Sequence, residues 1–224
     1  MATVTVMSYN ILGGREPTAL AQVVRHVRPD VVLANESPKT PLLWRARCER
    51  LAADWELRYV AGGRPAGSNM LAVSPRVRVA RARAWRIAQP LFKPRRGIVT
   101  AQFEVDSAPF GFVGCHLSLL PDSRPAEVEM VIEAADSLAG PVVVAGDLNE
   151  RPRARSWARL RAAGFTDAAK AADLTFPASS ATTRIDALLV RGAADIRAHE
   201  VPDLDATLLA TASDHLPVTA VLVL

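Results

Sequence analysis

The chain has 224 residues, half of them apolar, which is enough to bury one sizeable core; a single domain spanning 1–224 is expected. Its 12 Gly and 16 Pro are scattered, and no repeat or low-complexity tract marks a boundary, which excludes fibrous, solenoid and disordered classes. The net charge of +4 rests almost wholly on Arg, since Lys39, Lys93 and Lys170 are the only lysines, and it favours anionic partners only weakly.

Thr3 to Val6 alternate into a strand that ends in the carboxamide of Asn10, ahead of the turn residues Gly13 and Gly14. Leu20, Val23, Val24 and Val27 recur at helical spacing, and Pro29 stops that helix before a continuous apolar run, Val31 to Ala34, that ends in Asn35 and Glu36. Thr40 and Pro41 read as cap and first-turn proline of a helix reaching about Ala53, followed by a strand from Trp55 to Val60. Beyond Gly62 and Gly63 the pattern becomes an antiparallel meander of strands 69–74, 77–87, 98–105 and 110–117, the last carrying His116. A helix over 125–139, with Val128, Val131, Ile132, Ala135 and Leu138 on one face, precedes the buried-type strand Val142 to Ala145. Gly146 breaks that strand, and Asp147 and Asn149 follow at once. A helix over 153–163, a strand over 185–190 beginning at Asp186, and a last strand over 216–224 preceded by Ser213-Asp214-His215 complete the chain. The expected class is α/β (α+β), with two sheets packed face to face and helices outside.

Cys48 and Cys115 lie far apart without CxxC spacing, so neither a disulfide framework nor structural zinc is indicated, and both read as buried apolar residues. The N-terminus enters a strand directly, with no basic region leading an apolar stretch, and no apolar run reaches the ~18 residues of a membrane span. A cytoplasmic, soluble, monomeric protein is expected.

Polar residues at the ends of apolar strands are the informative feature: Asn10, Glu36, His116, Asp147, Asn149, Asp186, Asp214 and His215. One such residue needs no explanation, and Asp147 with Asn149 reads equally as the caps of a strand-to-helix turn. A set this rich in oxygen donors, without a Cys cluster, suits Mg²⁺, Mn²⁺ or Ca²⁺, while two His can contact phosphate or move protons near neutral pH. Metal-assisted cleavage of a phosphate ester follows.

Seven segments, SYNIL (8–12), VVLANE (31–36), SNMLAVS (68–74), GCHLSLL (114–120), VVVAGDLNERP (142–152), RIDALLV (184–190) and SDHLPV (213–218), resemble in order those of the endonuclease/exonuclease/phosphatase family, which includes DNase I and the AP endonucleases. The resemblance implies a four-layer α/β sandwich with two mixed sheets between helical layers and a site at one sheet edge. It also implies roles: Glu36 as principal metal ligand beside Asn10, with Asp214 contributing; Asp147 and Asn149 positioning or activating water; Asp186 fixing the tautomer of His215; His215 and His116 contacting the scissile phosphate. Whether Asp147 or His215 takes the proton of the water stays open. Position 35 carries Asn where the family has Gln, a change expected to alter positioning more than metal binding. The segment around His116 is similar to DNase I and the sphingomyelinases and lacks the Tyr-containing strand of AP endonucleases, which argues against abasic-site repair. A nuclease-like phosphodiesterase is the leading expectation, with phosphomonoesterase and lipid phosphodiesterase as alternatives and a non-catalytic phosphate-binding module behind them.

Between Leu57 and Phe103 stand ten basic residues, Arg58, Arg64, Arg76, Arg78, Arg81, Arg83, Arg86, Lys93, Arg95 and Arg96, and no acid. The stretch reads either as a phosphate-tracking surface for nucleic acid or as the wet face of outer strands, and aromatic interleaving is confined to Trp85 and Phe92. Arg124 matches a family position on the phosphate side of the site and reads equally as a surface helix-start residue; Asn69, a candidate substrate contact, matches a strand flanking the site in some relatives, yet an Asn beside Gly67 and Ser68 is more often turn chemistry. His26 and His199 are expected to be solvated.

Overall fold

The computed structural model describes residues 1–89, 93–168, 174–192 and 195–224, and for 198–200 the backbone alone. Phe92 and the side chain of His199 therefore lie outside the described residues. In chain order the elements are β1 (Thr3–Asn10), α1 (Pro17–Val27), β2 (Val31–Asn35), α2 (Trp44–Asp54), β3 (Arg58–Gly63), β4 (Asn69–Val73), β5 (Arg78–Ile87), β6 (Arg96–Val105), β7 (Ala108–His116), α3 (Arg124–Asp136), β8 (Val142–Asp147), α4 (Arg155–Ala162), β9 (Thr166–Asp167), β10 (Asp186–Arg191), β11 (Asp195–Glu200), α5 (Ala206–Ala212) and β12 (Val218–Val223).

The strands form two six-stranded sheets, ordered β11-β12-β1-β2-β4-β3 and β5-β6-β7-β8-β10-β9. Each is mixed: β1 runs parallel to β2 and β7 to β8, while the other pairings are antiparallel. Strand side chains alternate between faces, and here both faces of the central strands are covered. Val4, Val6, Val31, Leu33, Leu71, Val73, Phe110, Phe112, Val143, Ala145, Leu188 and Val190 meet between the sheets. The intervening residues Met7, Tyr9, Val32, Ala34, Met70 and Ala72 pack under α1, α2 and α5. Val113, Cys115, Val142, Val144, Ala187 and Leu189 pack with residues of α3 and α4. Four layers result, helix, sheet, sheet and helix, which explains why the central strands read as unbroken apolar runs.

Several expectations shift. The helix expected from Pro41 begins at Trp44, because Leu42 adopts φ +67 and residues 41–43 form a turn. Trp55 ends α2 instead of opening the next strand, which starts at Arg58. The strand at Asn69 belongs not with the meander β5-β6-β7 but with the first sheet, where it pairs with β2 and β3. Helix α5, capped by the Asp205 carboxylate accepting from Leu208 N at 2.9 Å, was not expected. No described helix is long and apolar enough to cross a membrane.

Candidate active site

The registry of the strands builds the site. Asn10 pairs with Asn35 across β1 and β2, and Asp147 pairs with both His116 of β7 and Asp186 of β10. By strand parity Asn10 continues the inward face of Val4 and Val6, Asp147 that of Val143 and Ala145, and Asp186 that of Leu188 and Val190. The polar ends of both sheets therefore close on one edge of the sandwich. Gly146 is required there: at φ +141, a Cβ would lie 1.9 Å from the Cys115 carbonyl oxygen. Glu36 and Asn149 adopt φ +54 and +51, a strained region for non-glycine residues that commonly marks functional positions.

Asp147 is the hub. Its Oδ2 lies 3.3 Å from Asn10 Nδ2, 3.3 Å from His116 Nε2 and 3.8 Å from His215 Nε2, while Oδ1 accepts from the Asn149 amide at 2.9 Å. Burial and the nearby Asp186 carboxylate push the Asp147 carboxyl up to about 7, against the restraint of His215 and the two Asn donors. His215 Nδ1 is 2.9 Å from Asp186 Oδ2, and its ring stacks obliquely on Phe176 at 4.8 Å. Burial pulls the His215 imidazole down, but the Asp186, Asp147 and Asp214 carboxylates outweigh it and carry the ring up to about 9. His116 moves the other way, held well below its usual range by burial and by Arg96, His215 and Lys39. The two rings thus differ at neutral pH, His215 protonated and His116 neutral.

Asn149 spends Nδ2 on the Leu117 carbonyl at 2.9 Å, which leaves its amide oxygen for another donor. Asp186 Oδ1 and His116 Nδ1 are buried without a partner. Glu36 is part-exposed, with Lys39 Nζ 3.8 Å from its Oε2. Among the described residues, Asp147, Asp186 and His215 form the one group of three His, Cys or carboxylate side chains whose ligand atoms lie within 4.8 Å of one another. Asp214 is exposed and outside that group; Ser213 Oγ donates its one proton to the Asn10 carbonyl at 2.6 Å, with Asp214 Oδ1 standing 3.4 Å away, and so ties the His215 loop to β1.

Two expected substrate contacts act elsewhere. Asn69 is fully buried, accepting from Asn35 Nδ2 at 2.8 Å and donating to the Gly97 carbonyl at 2.8 Å, so both halves of its amide are used in bracing. Arg124 binds Glu150 at 2.6 Å and the Ser118 and Leu119 carbonyls at 3.0 and 3.3 Å, clamping the loop after His116 to the one after Asp147. Asn35 links the sheets directly, donating to Asn69 and to the Cys115 carbonyl and accepting from Asp147 N at 3.1 Å. His26 is exposed, as expected. Sequence reasoning counted Arg96 only within a basic stretch. It is 5% exposed, its Nε has no partner, and burial lowers its pKa against the fields of Asp147, Glu36 and Glu127. The expected strand begins at Ile98, two residues later, so its place at the first residue of β6 is visible in the structure alone.

Much of that basic stretch is already engaged. Arg76 pairs with Asp30 and Asp106, Arg78 with Glu104, and Arg58, Arg81 and Arg86 bind the carbonyls of Val77, Ser137 and Arg64. Glu104 of β6 and the loop acids Asp30 and Asp106 supply negative charge to Arg76 and Arg78, so the stretch as a whole is not an open cationic face.

The model of the Endonuclease/Exonuclease/phosphatase family matches residues 7–215. A search of curated proteins found no match. Among solved structures, a family protein from Bacteroides thetaiotaomicron is similar with a TM-score of 0.81 at 17% identity, over 99% of this chain and 95% of that one. The mannosyl-6-phosphatase of the same organism gives 0.80 at 18%, over 99% and 100%. Danio rerio TDP2, complexed with a single-strand DNA product, gives 0.73 at 16%, over 99% of each chain. With the family model spanning nearly the whole length and these neighbours sharing the sandwich, the chain belongs to the endonuclease/exonuclease/phosphatase family.

Proposed function

We propose that the protein is a divalent-metal-dependent phosphoester hydrolase whose principal reaction is phosphodiester cleavage. The observation that carries this reading is the convergence of Asn10 Nδ2, His116 Nε2 and His215 Nε2 within 3.8 Å of one buried carboxylate oxygen, Asp147 Oδ2, with residues from both sheets.

The donor set fits a hard cation. Glu36 offers a part-exposed carboxylate, 3.8 Å from Lys39 Nζ, and Asn10 lies on the adjacent strand with its end in register; oxygen donors of this kind suit Mg²⁺, Mn²⁺ or Ca²⁺. Glu36 and Asn10 would hold the ion, and Asp214, joined to Asn10 through Ser213, is a further candidate ligand. When bound, it supplies charge neutralisation at the phosphoryl group.

The remaining chemistry belongs to the chain. Asp147, titrating near 7, accepts the proton of the attacking water, since a base works best when its pKa lies near the working pH. Asn149 fixes Asp147 Oδ1 through its amide N–H and turns its free side-chain oxygen to the same water. His215, protonated and oriented by Asp186, donates from Nε2 to a phosphoryl oxygen. His116 stays neutral and holds the second face of Asp147, and Arg96 adds buried positive charge behind both. Arg124 and Asn69 are positioning residues.

A second reading, phosphomonoester hydrolysis, is supported by the full-length similarity to mannosyl-6-phosphatase. Single-stranded DNA, duplex DNA, RNA, nucleotides, inositol and sugar phosphates and sphingomyelin, each assayed with Mg²⁺ and Mn²⁺, separate the two. Diesters are expected to be cut, with a loss of about 10²-fold or more in folded Asp147→Ala. Turnover confined to monoesters would replace the leading reading by the second, and turnover of none would leave a phosphate-binding module.

A further inference from the structure

Beside the candidate site lies a cavity of about 300 Å³ lined by Lys39, Pro41, Arg64, Ser68, Pro94 and Arg95. Three cations and no carboxylate line it, and Lys39 is shared with the site, because its Nζ stands 3.8 Å from Glu36 Oε2. The cavity is built from locked backbone. Gly67 packs so closely on the next strand that a Cβ would meet the Arg96 carbonyl carbon at 2.3 Å, which brings the Arg64–Ser68 turn against the Arg95–Arg96 segment. Ser68 N donates to the Gly63 carbonyl at 2.8 Å and its carbonyl accepts from Ser37 N at 2.8 Å, fixing the turn to the loop that carries Glu36. While other arginines of the same basic stretch are neutralised, no acid meets the side chains of Arg64 and Arg95 among the described residues.

We infer that this cavity is a second anion subsite, which receives a further phosphate of the substrate while the scissile phosphate lies at Glu36 and Asp147. This rests on the phosphoester hydrolase reading and narrows it: the preferred substrate carries two phosphates joined by a short sugar or polyol. The volume is at the low end for small-molecule sites and exceeds what a lone oxyanion fills, so the phosphate enters with part of the group it esterifies. The cations act through Coulomb attraction and charge-assisted hydrogen bonds, and exposure of Lys39 and Arg95 makes the effect salt-sensitive.

The test compares matched ligands by calorimetry: thymidine 3′,5′-bisphosphate against thymidine 5′-monophosphate, and glucose 1,6-bisphosphate against glucose 6-phosphate, with Ca²⁺ present. In at least one pair the bisphosphate is expected to bind about tenfold or more tightly, and that pair identifies a nucleotide or a sugar phosphate as the source. Arg64→Ser/Arg95→Ser should erase the preference while the melting temperature holds. Equal binding within both pairs, or a preference that survives the double substitution, overturns the subsite. A protein that cleaves phosphoesters yet shows no preference loses this inference alone; one that keeps the preference but cleaves nothing loses the hydrolase reading alone.

Discussion

Replacing Asp186 with Asn tests the division of labour between the two histidines. In the folded protein Asp186 Oδ2 sits 2.9 Å from His215 Nδ1 and its charge is the largest favourable influence on that ring, which titrates near 9 instead of 6.5. The difference corresponds to about 3 kcal/mol in favour of imidazolium, at about 1.4 kcal/mol per unit. Without the carboxylate, burial is opposed by Asp147 and Asp214 alone, and the ring falls back toward its ordinary 6.5. At pH 8 the protonated fraction then falls from about nine-tenths to about 3%, a loss of roughly 30-fold from protonation alone. Loss of ring orientation brings the expected fall in kcat to about 10²-fold or more. The pH–rate profile of the native protein should rise through about 7, as Asp147 ionises, and fall through about 9, as His215 loses its proton. In Asp186→Asn the alkaline limb moves down by two units or more, and the acid limb moves down too, since Asp186 also raises Asp147. Imidazole proton resonances followed by NMR read the His215 shift directly. A ring still titrating near 9, with an unmoved alkaline limb, would refute the pairing; loss of Mg²⁺ binding with an unchanged profile would instead make Asp186 a ligand.

Two further outcomes follow from the same geometry. Asp147→Asn removes a carboxylate whose folded pKa is raised from 3.8 to about 7. In the native protein that carboxylate's contribution to stability is greatest below about pH 4 and is lost as pH rises through 7, so the variant should gain stability relative to the native chain between pH 4 and pH 8 while losing activity. Denaturant melts at the two pH values measure this, and a difference independent of pH contradicts the raised pKa of the buried carboxyl. Asn35→Ala strands Asp147 N, the Cys115 carbonyl and Asn69 Oδ1 at the sheet junction. Unpaired buried groups of this kind should cost about 3 kcal/mol, or roughly 6–12 °C in Tm for a chain of this size; a Tm within 2 °C of native would mean the sheets are joined by packing alone.

Much of this site was legible because strand parity and burial leave few places for polar residues. Asn10, His116, Asp147 and Asp186 interrupt apolar runs at strand ends, and their registry brings them together. What was not legible depends on which sheet a strand joins and on who its neighbours are. The strand at Asn69 looked like the first of a meander, because local alternation carries no information about partners, and its pairing with β2 is what turns Asn69 toward Asn35. Arg124 reads equally as a phosphate contact and as a surface helix-start residue, because nothing local announces Glu150, 26 residues on, which occupies it. Arg96 was hidden among arginines that differ only in what other strands place beside them. The start of α2 was misplaced because Thr40-Pro41 imitates a cap while Leu42 turns the chain out of helical geometry.

The central claim is that this sheet edge hydrolyses phosphoesters with a cation held by Glu36. The most direct measurement is the rate of 4-nitrophenol release from bis(4-nitrophenyl) phosphate as Mg²⁺ is titrated into metal-stripped protein, alongside folded Glu36→Ala. The native protein is expected to be inactive without metal and to saturate with Mg²⁺, and Glu36→Ala to need far more Mg²⁺ and to turn over about 10²-fold more slowly or worse. Native-like turnover in chelator, or an unchanged Mg²⁺ dependence in Glu36→Ala, would contradict it.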